Sequence, residues 1–466
     1  MRRIFGSWNR KSAGSPYTLL KTENEEIRLA TLAPGDYDDT IVIRLRIKSL
    51  SKSKAPNYEA LSYAWGTDIS PHNALVNGKA ISISANLDSG LRHLRYEDKS
   101  RVLWIDALCI DQTDILERNS QVQLMSCIYS EARTVLIWLG PSDGDDEEAM
   151  RKIAVWQKHW DLPFFKALIR ICKRPWFQRL WVVQELTLAS TNPMVHLGYV
   201  LVPWDKFHNF IRATSDGTMG TKWDYVAPKG SDLHFEFWTA AKRIVSLGEM
   251  RQNRSFADFA DNLADTAEFE ATDARDKVYG ILAMKGSSAS TPAITPDYTK
   301  TIREVFVESI FYLIREDPVT LYKRLPLHPL RKEHSKPPST ALGLPSWAMD
   351  LTITSRNPDD GHFYNRPILL TPGYIYSTMS AMAQKGLQSI ARLSSNNTLH
   401  AVGAFIGSIV ITSEDLLLST HTDYRAPGSV PISIKTLHGI YNNMLKPRNI
   451  STESLLRALC SSTKNW

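Results

Sequence analysis

Cysteine is scarce in this chain. Four residues, Cys109, Cys127, Cys172 and Cys460, are spread over 466 positions. That spacing offers neither the paired ligands of a zinc site nor the dense framework of a disulfide-stapled domain, so they read as buried thiols of a reducing compartment. Several catalytic signatures are also missing. No glycine-rich loop ends in Gly-Lys-Ser/Thr, no dinucleotide glycine fingerprint follows a strand, and no paired-His zinc motif occurs. A Gly-x-Ser-x-Gly nucleophile elbow is absent too, and the twelve histidines are scattered. These absences argue against phosphate motors, nicotinamide dehydrogenases of the doubly wound type, zinc hydrolases and serine esterases. Cys109 lies between Leu108 and Ile110 and reads as a buried strand cysteine rather than a nucleophile.

Long apolar runs are missing as well, so no transmembrane segment is expected. The opening MRRIFGSWNRK is basic, but no continuous apolar segment follows it, which argues against a secretory signal and for a cytoplasmic location. Without secretion, the sequons at Asn253, Asn396 and Asn449 carry no weight. Charge of one sign is not concentrated. Fifty-five Lys and Arg against 49 Asp and Glu leave +6, enough to favour an anionic small molecule but with no clustered footprint for direct nucleic-acid binding. The acidic group Asp143, Asp145, Asp146, Glu147 and Glu148 lacks the alternating register of a calcium loop. It reads as the acidic first turn of a helix, and no metal is expected.

What is present is a globular composition, with 43% hydrophobic and 22% charged residues, on a chain too long for one core. We divide it into an N-terminal extension with leading strands at 1–57, an α/β core at 58–200, a helical extension at 201–343 and a smaller strand-containing region at 344–466. In the core, 58–65, 102–110 and 134–140 have strand patterns, and 86–94 and 119–132 carry apolar residues at helical spacing. Such alternation predicts a mainly parallel sheet covered by helices. Ligands in these sheets sit beyond the carboxyl ends of strands, where Tyr63, Trp65, Asp106, Asp111 and Gln112 fall. Residues 235–284 and 300–313 read as helical, and 373–376, 399–402 and 408–412 as strands.

The most informative segment is RPWFQRLWVVQE, residues 174–185. Read as one amphipathic helix starting at Pro175, it places Gln178, Trp181 and Glu185 on one side. A carboxylate in such apolar company needs donors or takes a raised pKa. Glu185 is therefore the candidate for chemistry; the alternative is a structural carboxylate satisfied by Arg179 or backbone donors, with Trp176 and Trp181 as core.

Five ordered blocks, SYAWG at 62–66, LWIDALCIDQ at 103–112, ER at 117–118, QVQLM at 121–125 and RPWFQRLWVVQE, resemble the fungal heterokaryon incompatibility (HET) domain. ARDKVYGILAM at 274–284 and LPSWAMDL at 344–351 extend the resemblance downstream. Asp111 departs from the Asn common before Gln112 in that family. The resemblance implies a TIR-like three-layer parallel-sheet HET core and a role in non-self recognition and programmed cell death. Through the remote likeness to Toll/interleukin receptor (TIR) domains, it further implies cleavage of the nicotinamide glycosidic bond of NAD. Glu185 would then be the catalytic carboxylate, with Ser62, Tyr63, Trp65, Asp106, Gln112, Arg118 and Trp181 binding the nucleotide. NAD enters as substrate, with no resident cofactor. Self-association and pairing with a fungal incompatibility receptor are the implied partnerships. The packing alternatives remain beside these roles: Ser62 as a cap, Tyr63 and Trp65 closing the sheet end, and Asp106 accepting from Arg118. For the whole chain, the alternative is a noncatalytic, nucleotide-regulated death-signalling scaffold.

Overall fold

The computed structural model describes residues 15–50, 57–156, 161–216, 231–252, 259–284 and 294–316, with short pieces at 342–344, 351–352, 391–393 and 399–401. The chain divides into two compact units, Met1–Val305 and Phe306–Trp466. The first unit is built on one nine-stranded mixed sheet. Its strands are β1 (Glu26–Leu32), β2 (Val42–Ser49), β3 (Glu59–Tyr63), β4 (Ile69–Val76), β5 (Lys79–Ser84), β6 (Arg101–Trp104), β7 (Thr134–Trp138), β8 (Met194–Leu197) and β9 (Val200–Pro203). Their spatial order is β5-β4-β2-β1-β6-β3-β7-β8-β9.

The expected parallel sheet is its centre. β3 runs parallel to β6 on one side and to β7 on the other, and β7 runs parallel to β8. The flanks differ from the expectation: β1 pairs antiparallel with both β2 and β6, β4 with β5, and β8 with β9. β1 and β2 come from residues ahead of 58, so the leading strands are part of this sheet and not an appendage to it. Short connections such as Asn77–Gly78, with both residues at positive φ, allow only antiparallel hairpins. Every residue of β3 is buried, as expected of a strand covered on both faces.

Helix Ala85–Leu94 is capped by Ser84, whose side chain accepts from the Leu87 N–H, and buries Leu87, Leu91 and Leu94. Helix Ile115–Glu131 is capped by Asp114, which accepts from Leu116 and Glu117, and buries the expected stripe of Val122, Met125 and Tyr129. The acidic cluster begins helix Asp146–Ala154, with Asp146, Glu147 and Glu148 in the first turn. Three ion pairs fasten the sheet and its covering helices. Arg28 of β1 grips Glu117 at 2.5 and 2.9 Å, and Glu59 of β3 takes Arg101 of β6 at 2.5 Å and Arg133 at 2.8 Å.

Two expected elements are corrected. Residues 102–110 do not form one strand: β6 stops at Trp104, and Asp106–Cys109 is a helical turn closed by the Cys109 N–H on the Ile105 carbonyl at 2.7 Å. Cys109 is thus a buried residue of a turn, and burial pushes its thiol up to about 12. Residues 174–185 do not form one helix either. A short 3-10 turn, Pro175–Gln178, gives way at an extended Arg179, and a separate helix runs Trp181–Thr187. At the break the backbone on either side of Arg179 pairs with Glu270: Glu270 N–H donates to the Gln178 carbonyl at 2.6 Å, and Leu180 N–H to the Glu270 carbonyl at 2.9 Å.

Helices Trp204–Ser215, Asp232–Gln252 and Phe259–Asp265 supply the expected helical character beyond 200. In the second unit, Ala391–Leu393 and Leu399–Ala401 form an antiparallel pair. The expected strands at 373–376 and 408–412 lie outside the described residues. Among the described residues no helix is long and apolar enough to cross a membrane.

Helix Asp232–Gln252 packs against Trp204–Ser215 with Gly248 beneath the buried His208, where an added Cβ would overlap the imidazole. Gly248→Ala should therefore lower stability by about 1–3 kcal/mol despite the better helix propensity of alanine, measured as a fall in the urea midpoint.

Candidate functional site

β3 lies between two parallel neighbours that both follow it in the chain, β6 on one side and β7 on the other. The carboxyl end of β3 is consequently the place where a parallel sheet opens toward a ligand. Ser62 and Tyr63 are its last residues. Trp65 follows in a turn that depends on Gly66, at φ +72°, and Asn86 pins that turn by donating to the Ala64 carbonyl at 2.6 Å. The same Asn86 accepts from Trp138 Nε1 at the end of β7 at 3.0 Å.

Four elements meet behind this edge. Ser62 donates its hydroxyl proton to Glu185 Oε2 and accepts from Trp176 Nε1 at 2.7 Å. The Tyr129 hydroxyl, from helix Ile115–Glu131, lies 3.2 Å from the Leu61 carbonyl and also serves Glu185. Arg179 donates to the Tyr63 carbonyl, and its charge acts on both Glu185 and Asp106. Glu185 and Ser62 are each only 1% exposed. Burial raises the Glu185 pKa to about 7, against the opposing pull of Arg179, Ser62 and Tyr129, while the negative charge of Asp106 pushes it further up.

Asp106 is the second carboxyl of the group. It accepts from Trp65 Nε1 at 2.6 Å and from the Ala107 N–H at 2.7 Å, with Tyr63 as a third donor. Burial raises its pKa, and Arg179 leads the opposing effects. Gln112 Nε2 holds the Asp106 backbone carbonyl at 3.1 Å, supporting the turn from outside. Burial thus raises two acids that lie in the field of one guanidinium, and an ionised oxygen there can face a developing positive charge.

Of the residues expected at a site, Ser62, Tyr63, Trp65, Asp106 and Glu185 come together, and Gln112 stands behind them. Arg118 and Trp181 do not join them. Arg118 does not pair with Asp106: its guanidinium lies 3.5 Å over the Tyr298 ring and 3.7 Å from Asp273. The Trp181 indole is turned to Asp276. Trp181 and Glu185, four residues apart on one helix, share a face, yet Trp181 is not among the groups that act on Glu185. Two contributors were read as core: Trp176 and Tyr129. Arg179 had a local signal, a cation inside an apolar twelve-residue run. Trp176 and Tyr129 had none, since an indole or phenol on a buried face reads as packing. Among the described residues no three His, Cys, Asp or Glu side chains gather as metal ligands.

Comparison with known proteins supplies the family context. Residues 58–185 match the sequence model of the family described as "Heterokaryon incompatibility protein (HET)". The chain is 27% identical over 406 residues to Heterokaryon incompatibility protein 6, OR allele, of Neurospora crassa, covering 70% of this chain and 58% of that protein. It is 28% identical over 148 residues to Vegetative incompatibility protein HET-E-1 of Podospora anserina, covering 31% of this chain and 10% of that protein. The chain thus spans less than two thirds of either relative. No solved structure gives a significant match.

The pKa of Glu185 has a stability consequence. Its folded value of about 7 exceeds the ordinary 4.5, so between these limits the folded chain holds a proton that the unfolded chain has released. Stability from this group is full below about pH 4.5 and is lost as pH rises through about 7. Urea midpoints measured from pH 5 to 8 should show a decline for the wild type, worth at most about 3 kcal/mol, that Glu185→Gln removes. Ser62→Ala strands the Trp176 N–H, costs about 1–3 kcal/mol and shifts the decline to higher pH.

Proposed function

We propose, from the premise that residues 58–185 belong to the heterokaryon incompatibility family, that this chain is a fungal death effector of non-self recognition whose Glu185 cleaves the nicotinamide glycosidic bond of NAD. The observation that carries this reading is a carboxyl of near-neutral pKa at the carboxyl end of the central parallel strands, beside Ser62 and within the field of Arg179. A TIR-like ancestry of the sheet, cytoplasmic action and self-association belong to the same proposal.

The chemistry is constrained. The bond from ribose C1′ to the nicotinamide nitrogen breaks, its electron pair goes to that nitrogen, and neutral nicotinamide leaves. The cationic character left on the ribose needs a fixed negative charge, which an ionised Glu185 supplies. Water then adds at C1′ and releases one proton, giving ADP-ribose. Nicotinamide is a good leaving group, so no strong general acid is required. Trp65, half-buried, offers an aromatic face at the outer edge with Tyr63 buried behind it, and Asp106 and Gln112 offer polar contacts. Because Glu185 is enclosed, the substrate reaches it only when the Trp65–Gly66 turn or the Trp181–Thr187 helix moves.

One observation favours a second reading. Glu185 is fully enclosed and its donors, Ser62 and Tyr129, are all internal, which is what a noncatalytic scaffold with a structural carboxyl requires.

Purified protein assayed with NAD across a range of protein concentrations separates the two. Turnover should rise with pH as Glu185 ionises near 7, and Glu185→Gln should fold but lose activity roughly a hundred- to thousandfold. Killing by wild type and Glu185→Gln at matched abundance, with intracellular NAD unchanged in both, would reject cleavage and establish the scaffold.

A further inference from the structure

A cavity of about 560 Å³ lies outside the Ser62–Glu185 group, lined by helix Asp232–Gln252, by the end of helix Leu162–Cys172 and by the 3-10 turn Pro175–Gln178. Its volume is that of a small-molecule site. Phe235, Thr239 and Arg243, spaced four apart, bring one face of the long helix to it, and the small side chain of Ala240 leaves room on the same face. The floor is fixed. Phe177 is buried, lies parallel to Phe207 with ring centres 5.9 Å apart, and meets the Trp176 ring edge-on at 5.1 Å. Phe235, 51% exposed, stands at the opening.

The charged side chains of the lining are Lys173, Glu236 and Arg243. Lys173 and Glu236 satisfy one another at 2.5 Å, so the carboxylate of the lining is already taken. Arg243 is left over. Its Nε is shielded from solvent and has no hydrogen-bond partner among the described residues. A guanidinium has five donors and no acceptor, so only an oxygen from elsewhere can answer it, and a sealed donor without one is costly. The surrounding charge selects the anion. One uncompensated cation beside an ion-paired carboxylate suits a single negative charge and disfavours a second, and the planar guanidinium matches the two oxygens of a carboxylate. Phe177, Ala240 and Phe235 suit a flat apolar body.

We propose that this cavity binds a small aromatic monocarboxylate, with Arg243 holding the carboxylate, Thr239 offering its hydroxyl one turn away, and the ring against Phe235 above the Phe177 floor. The test titrates 2-naphthoate into the full chain and follows its fluorescence; binding should fall in the millimolar range or below. Neutral 2-naphthamide, and 2-naphthyl phosphate as the dianion it becomes by about pH 8, should each bind roughly tenfold more weakly or worse. Arg243→Met, which keeps an apolar stem, should weaken naphthoate roughly tenfold and leave naphthamide unchanged. Ala240→Phe fills the cavity without touching its charges and should abolish binding of both, while the exposed control Arg151→Gln changes neither. Where Arg243→Met fails to fold, Ala240→Phe and the comparison of naphthoate with its amide decide the matter. Wild type that does not bind naphthoate, binds the amide equally well or prefers the phosphate overturns the proposal, as does undiminished binding by folded Arg243→Met or Ala240→Phe. These measurements do not use NAD turnover and are independent of the role of Glu185.

Discussion

A carboxyl group sealed from water must find donors, keep its proton, or both. Glu185 does both, and much of the first unit is arranged around that requirement. Ser62 has to stand at the end of β3 with its hydroxyl free to donate, which is achieved because Trp176 Nε1 supplies the proton that Ser62 accepts. Trp176 reaches Ser62 only from the 3-10 turn Pro175–Gln178. Glu185 reaches it only from a separate helix, so the backbone has to bend between them at Arg179. The bend leaves peptide groups unpaired, and Glu270 pairs them. One buried hydrogen bond thus connects the central strand, the aromatic turn, the short helix and a segment some ninety positions downstream.

The sheet supplies rigidity where that network needs it. β3 is buried throughout and flanked by parallel neighbours, while β1 and β2 extend the sheet on the far side of β6. The buried pairs Arg28–Glu117 and Glu59–Arg101 lock β1 to helix Ile115–Glu131 and β3 to β6. Pairs of this kind add little net stability over apolar residues of equal size, but breaking one leaves a charge stranded in the interior. Their effect is to fix register, and register determines that Ser62 and Tyr63 end the strand beside Trp138, with Asp106 just beyond β6.

The elevated pKa values follow from the same geometry. Glu185 and Asp106 are raised by burial, and Arg179 restrains both. The negative charge of Asp106 adds to the rise at Glu185. Such a cluster is costly to build for packing alone, which is why a functional reading of the carboxyl end of β3 is preferred here to a structural one.

Local pattern settled a good deal. Short apolar runs located β3 and β7; helical stripes located Ala85–Leu94 and Ile115–Glu131; and strand ends pointed to Tyr63, Trp65, Asp106, Asp111 and Gln112. The ordered SYAWG, LWIDALCIDQ and RPWFQRLWVVQE blocks carried the resemblance to the family whose sequence model matches 58–185, since motif order survives where pairwise identity has fallen to 27–28%. Tertiary structure alone determined the rest: the antiparallel flanks, the end of β6 at Trp104, the break at Arg179, the turn of Trp181 toward Asp276 and of Arg118 toward Tyr298. Periodicity reports which face of an element is buried, because burial acts on each residue through its immediate neighbours. It does not report which distant donor meets a buried acceptor. That choice depends on partners such as Glu270, Asp276 and Tyr298, brought into range only after the sheet and its helices have closed.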